Sequence, residues 1–428
     1  MALDGTEGKE ALMDFDDTPD EARFRAEARS WLSNNARLRP GQEMKSPMGG
    51  HGPEYVASCR RWQETLHGGG WAGITWPKEH GGRGGSSRQA GIFAQEQSAY
   101  DVSNGVFAVA IGMVGPTVMA HGTTGQMERY LGPMLRGEEI WCQLFSEPVA
   151  GSDLASLSTR AIQDGDSWIV NGQKVWTSGA QHSDFAILLA RTDTEAPRHR
   201  GITFFIVDMR TPGIEVRPLR QITGVAHFNE VFLTDVRIPR ENIVGGVNEG
   251  WSVARNTMGH ERTLIGGIVG VGFPELLQLA RKMDRTADAV VRHELVSTFT
   301  RLEIIKYLGY RVQTAASHGR APGPESSVIK LAYSLHLASL GDLALALAGA
   351  AGMLGGGDAV DNGEWLLQFL NQWTVRIGGG TEQIQRNVIG ERVLGLPREP
   401  KPDPHGVPAT GGGNVQSAAD GPASLGST

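Results

Sequence analysis

The chain has 428 residues, 40% of them apolar, with 40 basic and 47 acidic side chains and a net charge of −7. That length and apolar content support two or three domains around sizeable cores, and the acidic balance argues against nucleic acid or an anionic membrane as the main partner. The two cysteines, Cys59 and Cys142, form neither a metal spacing nor a disulfide framework, and the acidic N-terminus has no apolar signal core, so a cytoplasmic protein is expected. No run of about 20 apolar residues is present, so no membrane span is expected.

Residues 1–15 read as a flexible N-terminus. A helical region is expected over 16–139. Thr18-Pro19-Asp20-Glu21 reads as a capping box with Pro at the first helical position. Phe24, Ala28, Trp31 and Leu32 follow on one helical face, and Cys59, Trp62 and Leu66 repeat the spacing. A further helical pattern runs from about 87 to 135.

The period changes near Trp141, and a β domain is expected over 140–248. Residues 168–170 and 173–176 read as two strands joined by a tight Asn171-Gly172 turn. Residues 186–190, 202–207, 214–216 and 230–238 also read as strands, the pattern of a barrel or sandwich. From Trp251 the helical period returns, with helices expected at about 250–283, 288–317, 325–351, 361–375 and 381–394, a bundle over 249–399. The fold class is therefore α+β, with a β domain between two helical ones. Residues 400–428 are rich in Pro, Gly and Ser and read as a disordered tail.

Three stretches carry candidate chemistry. WCQLFSEPVAGSD (141–153) offers backbone N–H groups and hydroxyls where helix gives way to strand; it suits a polar ring ligand, or it is a plain linker. KVWTSGA (174–180) ends a strand with an aromatic ring and two hydroxyls; Trp176 is either a platform for a planar cofactor or a core residue. RIGGGTEQIQRN (376–387) runs three glycines into Thr381 and an amphipathic segment.

The blocks WCQLFSEPVAGSDLASLSTRA, VNGQKVWTSGAQHSDFAILLART, HFNEVFLTDVRIPRENIVGGVNEGW and GGTEQIQRNVIGERVLG stand in this order. Together they resemble the acyl-CoA dehydrogenase family of flavoproteins, from about Asp16 to Glu399. The resemblance implies an N-terminal helical domain, a central β-barrel and a C-terminal four-helix bundle. FAD would lie between barrel and bundle and reach a neighbouring subunit. Gln143, Phe145 and Ser146 would meet the flavin ring and ribityl chain, and Ser152 would sit near the pyrophosphate and the thioester. Trp176 and Ser178 would flank the flavin, and Thr381 and Gln383 would hold FAD from the bundle side. Arg262 and Gly380 join Ser152 as implied substrate contacts.

Many members of that family carry the catalytic Glu immediately before the Gly-Thr pair. Here that position is Gly379, which has no proton acceptor. Other members place the base on the first long helix of the bundle, and in MGHERT (258–263) Glu261 falls at that position. Glu261 is thus the candidate α-proton base, against the alternative of a surface Glu paired with an Arg.

The implied reaction is α,β-dehydrogenation of an acyl-CoA to a 2,3-enoyl-CoA, with electrons passed to an electron-transferring flavoprotein. Two other readings keep the fold: a non-catalytic subunit completing the FAD site of an unlike partner, and a flavin monooxygenase or nitroalkane-type oxidase. Segments that contact the partner's FAD in homotetrameric members are altered here: in 279–296 Arg285 stands in for the expected Arg but the Phe-Gly and the Gln are missing, and the glycine turn of 348–352 reads AGAAG. An oligomer is expected, of like chains or with a paralogous subunit. The leucines at 331, 335, 340, 343 and 347 are expected to leave an apolar face uncovered.

Overall fold

A computed structural model describes residues 17–39, 52–266, 272–317, 323–324 and 326–398. The expected flexible N-terminus and disordered tail lie outside the described residues.

The N-terminal region holds helices α1 (Pro19–Asn35), α2 (Pro53–Gly68), α3 (Ser87–Gln97), α4 (Gly115–His121) and α5 (Thr124–Arg136). The capping box at Thr18 is present: Thr18 N–H donates to the Glu21 carboxylate at 2.9 Å, and Glu21 N–H to Thr18 Oγ1 at 3.3 Å. The helix expected over 87–135 is broken into α3, a π turn at Ala110–Val114, α4 and α5. Ser86–Gln89 and Thr123–Gln126 are two further capping boxes that start α3 and α5, so each helix begins at its own cap. Trp76 is buried and donates Nε1–H to the Ile111 carbonyl at 3.1 Å, within the core that this region shares with the sheet.

Seven strands form one curled sheet: β1 (Trp141–Leu144), β2 (Arg160–Asp164), β3 (Ser167–Ser178), β4 (Phe185–Arg191), β5 (Ile202–Asp208), β6 (Ile214–Leu219) and β7 (Phe228–Pro239). Their order is β1-β4-β2-β3-β7-β6, with β5 on the other edge of β4. β4 and β5 are buried on both faces, hence their unbroken apolar runs. Phe185, Ile187 and Leu189 join the helical core, while Ala186, Leu188 and Ala190 join the core inside the sheet with Trp168, Val170 and Val231.

The expected Asn171-Gly172 turn is not a turn. Both residues lie inside β3, and the β2–β3 hairpin turns at Gly165, where φ is +59°. Asn171 exchanges hydrogen bonds with Asp235 of β7, its amide to Oδ1 at 3.0 Å and Asp235 N–H to its Oδ1 at 2.9 Å, across a bulge. Gly172 is there because a Cβ would lie 2.4 Å from Thr159 Oγ1. Close approach, not turn geometry, requires the glycine.

The C-terminal region contains α6 (Gly250–Gly266), α7 (Phe273–Lys282), α8 (Ala289–Ser317), α9 (Ser326–Ala348), α10 (Glu364–Ile377) and α11 (Glu382–Val388). The single helix expected over 250–283 is two; Pro274 and the bond from Gly272 N–H to the Glu275 carboxylate at 3.1 Å begin α7 afresh. α6 is wedged among the three regions. Its Val253 and Ala254 share a core with Trp76 and Phe204, Thr257 Oγ1 lies 3.0 Å from Thr117 Oγ1 of α4, and the helix also meets α9.

The leucine expectation holds in part: Leu335 is exposed and Leu331 half-buried, while the other three are covered. Leu340 and Leu347 are buried within the chain's own core with Trp365, and Leu343 packs against them, because α7, α8 and α10 cover α9. By length and composition Ser326–Met353 could cross a membrane, yet here it is this covered centre of the bundle. Exposed apolar side chains lie also on α8 (Val290, Val296, Phe299, Ile304) and α10 (Trp373, Ile377).

Gly115 provides a test of the shared core. A Cβ there would sit 2.1 Å from Trp76 Cζ2. Overpacking of this kind costs about 1–3 kcal/mol, more than the roughly 1 kcal/mol a Gly-to-Ala change gains in a helix. Gly115→Ala is expected to lower stability in urea unfolding followed by tryptophan fluorescence.

Candidate functional site

The site begins with a charge inside the sheet. Lys174 of β3 and Glu147, in the loop after β1, are fully buried and paired, Nζ to Oε1 at 2.8 Å. Lys174 also donates to the Phe145 carbonyl at 3.1 Å. Glu147 accepts from Ser158 N–H at 2.6 Å, Ser158 Oγ at 2.8 Å and Thr159 N–H at 2.9 Å. Burial pushes the Glu147 carboxyl up, but the Lys174 charge and these hydrogen bonds outweigh it and hold it at about 2. Burial also lowers the Lys174 ammonium to about 8, against the pull of Glu147. Three separate segments, 145–147, 158–159 and 174–175, are thus tied at one point.

Immediately beyond the knot β3 bulges. Lys174 faces Val231 and Thr177 faces Asn229, so Val175 and Trp176 together oppose Glu230. Val175 N–H leaves the ladder and donates to the Ser146 carbonyl at 2.9 Å. Trp176 takes φ +62°, a left-handed conformation that is unusual for a bulky residue, and the residue is 61% exposed. The ring stands edge-on to Phe228 at 6.0 Å. The core alternative for Trp176 is therefore excluded. At the next pair of the ladder, Thr177 Oγ1 and Asn229 Oδ1 are buried and meet no partner among the described residues. A strained, exposed aromatic beside orphaned polar atoms fits a planar polar ring such as a flavin.

The other expected residues fall into two groups. Gln143, Ser146 and Ser178 are half-buried, and Ser146 is tied to β3 beside Trp176 through Val175 N–H. Phe145 is in this group only through its main chain. Its ring is buried in the core, edge-on to Phe204 at 5.8 Å, so side-chain contact with a flavin is not what the fold provides. Ser152 is exposed in the neighbouring turn, next to the Asp153–Arg198 pair at 2.6 Å.

The second group is the glycine turn of the bundle. Gly379 and Gly380 have φ +63° and +89°, and Thr381 caps α11, its Oγ1 accepting from Ile384 N–H at 3.2 Å. Gln383 is exposed on α11, and Arg376 braces the turn through Glu382 at 2.7 Å. Arg285 is engaged by Asp288 at 3.2 Å.

Glu261 lies half-buried on α6, the helix in contact with both sheet and bundle. Its neighbour His260 is half-buried, and burial holds its imidazole below the ordinary value, in the neutral form at pH 7. The side chain of Arg262 lies outside the described residues.

Sequence reasoning missed Glu147, Lys174, Lys330 and Gln385. A signal existed for Lys174: Trp168 and Val170 place even-numbered positions of β3 inward, so a lysine at 174 enters the core and requires a carboxylate.

Profiles of three acyl-CoA dehydrogenase domains match the chain in order: the N-terminal domain over residues 18–138, the middle domain over 142–236 and the C-terminal domain over 248–394. The chain belongs to the acyl-CoA dehydrogenase family and is an FAD-binding oxidoreductase. Acyl-CoA dehydrogenase IpdE1 of Mycobacterium tuberculosis is 39% identical over 89% of this chain and 99% of its own length. Acyl-CoA dehydrogenase FadE34 of the same organism is 42% identical over 76% of this chain, which spans only 44% of that longer protein. Among solved structures, the Tcur3481-Tcur3483 steroid ACAD matches 90% of this chain and 100% of its own at 27% identity and a TM-score of 0.75. The ChsE4-ChsE5 complex from Mycobacterium tuberculosis matches with the same coverage at 29% identity and a TM-score of 0.74.

The knot is testable by stability. Glu147→Gln leaves a buried ammonium without its counter-charge, expected to cost about 3–5 kcal/mol at neutral pH. Because the folded pKa of Glu147 is depressed from 4.5 to about 2, its contribution is present above pH 4.5 and lost as pH falls toward 2. The gap between wild type and variant in urea unfolding should therefore narrow over that window.

Proposed function

We propose that the protein dehydrogenates an acyl-CoA thioester between its α and β carbons, with Glu261 as the α-proton base. The observation that carries this reading is the glycine at 379, where φ is +63° and no side chain is available, while a half-buried carboxylate remains on α6. In this account the Glu261 carboxylate takes the α-proton. An acyl chain packed over it excludes water and raises its pKa toward working pH, which strengthens it as a base. The neutral His260 beside it adds no competing positive charge. The thioester oxygen takes up the negative charge as the proton leaves and requires N–H donors.

FAD, when bound, supplies the two-electron acceptor for the hydride from the β-carbon. Gln143, the main chain of Phe145, Ser146, Trp176 and Ser178 hold it from the sheet side, and Thr381 and Gln383 from the bundle side. Ser152, Arg262 and Gly380 contact the substrate.

The acyl group we favour is attached to a steroid ring system, supported by the likeness over nine-tenths of the chain to the steroid ACAD above. The working assembly pairs this chain with an unlike subunit. The exposed apolar residues of α8 and α10, the engagement of Arg285 by Asp288, and the likeness to the ChsE4-ChsE5 complex support that reading over a homomer. An electron-transferring flavoprotein is the proposed acceptor of the electrons. The buried free thiols of Cys59 and Cys142 fit a reducing cytoplasm.

The test is anaerobic flavin bleaching of the FAD-loaded assembly by steroid and straight-chain acyl-CoA thioesters. Glu261→Gln is expected to keep its FAD and lose about 10²–10⁴-fold in reduction rate. Bleaching at the wild-type rate in that variant would remove Glu261 from the mechanism. A wild-type assembly that no acyl-CoA bleaches would favour the non-catalytic subunit.

A further inference from the structure

The glycine turn at 379–381 is gripped from one side. Lys330 of α9, 3% exposed, donates Nζ–H to the Gly380 carbonyl at 2.6 Å. Gln385 of α11, equally buried, donates Nε2–H to the carbonyls of Gly379 and Gly380, each at 3.2 Å. These bonds fix the orientation of the Gln385 amide, because a flip would set oxygen against two carbonyls. Its Oε1 is buried and meets no partner among the described residues.

The consequence follows from peptide geometry. In a trans peptide the N–H points opposite to the C=O of the same unit, and no cis peptide is present among the described residues. The Gly379 carbonyl shares its peptide with Gly380 N–H, and the Gly380 carbonyl with Thr381 N–H. With both carbonyls drawn to Lys330 and Gln385, these two N–H groups are turned away from them. Among the described residues neither meets an acceptor. The dihedrals of +63° and +89° are what this arrangement demands, and glycine tolerates them.

We propose that Lys330 and Gln385 are positioning residues, which hold the turn carbonyls in the bundle so that the N–H groups of Gly380 and Thr381 face an oxygen that carries or develops negative charge. That oxygen belongs to bound FAD or to the thioester as it loses its α-proton. The inference rests on the dehydrogenase reading above. It also gives the turn a role that needs no acid at 379.

Two readouts on the working assembly separate the sources. One is FAD affinity, from flavin fluorescence on titrating the FAD-free assembly. The other is the long-wavelength absorbance, followed against pH, of a thia-substituted acyl-CoA with sulfur at the β-position bound to the FAD-loaded assembly, which reports α-deprotonation without turnover. Lys330→Met is expected to weaken one of them about tenfold, less than the outright loss of an oxyanion donor. Lys330→Arg, which keeps a buried cation, is expected to restore part of the loss. Gln385→Leu is expected to shift the same readout in the same direction, and it decides the matter if Lys330→Met does not fold. A change in FAD affinity identifies the oxygen as the cofactor's; a raised pH midpoint of the absorbance identifies it as the thioester's.

The proposal is overturned if Lys330→Met and Gln385→Leu match wild type in both readouts. It is also overturned if losses track the melting temperature and Lys330→Arg recovers nothing, the mark of a purely structural role. Absence of the absorbance in wild type would contradict the dehydrogenase reading instead, and FAD affinity alone would then judge this inference.

Discussion

A lysine and a glutamate inside the sheet set the terms for the proposed cofactor site. Neither charge tolerates burial alone, and a pair of this kind is stable only when every remaining donor and acceptor finds a partner. Glu147 and Lys174 draw their partners from three segments of the chain: the Phe145 carbonyl, the backbone and hydroxyl at 158–159, and β3 itself. The loop after β1 therefore cannot drift from the end of β3. Ser146 and Trp176 inherit their relation from it, because Val175 N–H binds the Ser146 carbonyl next to the knot. The bulge then sends Trp176 outward, in a conformation that a regular strand would not impose.

α6 plays the corresponding part between domains. Gly250 lets the start of the helix lie against β5, where a Cβ would fall 2.5 Å from Phe204 N. Thr257 meets Thr117 one turn before Glu261, and both lie on a helix that continues to α9. A carboxylate on this helix belongs to an element that the sheet, the N-terminal helices and the bundle all hold. At Gly379, by contrast, a side chain would have to rest on a left-handed backbone, at a cost of about 1–2 kcal/mol. Both observations favour moving the base from the turn to the helix.

Much of this was legible in sequence, and the failures have physical causes. Regular periodicity revealed α1, α8, α9 and most of β4 and β5, because each buries a face or a whole strand. The three-region order was equally plain from the changes of period. The Asn171-Gly172 pair misled because the same dipeptide serves a tight turn and a close approach; only Thr159, distant in sequence, decides between them. The fresh start of α7 at Gly272 was hidden by apolar spacing that runs on through 250–283 in the sequence. Glu147 and Lys330 were invisible for a related reason: a charged residue does not announce a buried partner until the fold supplies one. Leu340, Leu343 and Leu347 of α9 looked exposed because the sequence does not say which neighbours a helix will have, and here α7, α8 and α10 pack against them.

The central claim is that the proton comes off to α6 and not to the 379 turn. It is tested most directly by following, by NMR in deuterated water, the exchange of the α-hydrogens of a redox-inert acyl-CoA analogue bound to the FAD-loaded assembly. The account predicts rapid washout in wild type and in a Gly379→Ala variant that retains FAD, and none above the solvent background in Glu261→Gln. Washout that persists unchanged in Glu261→Gln would contradict it.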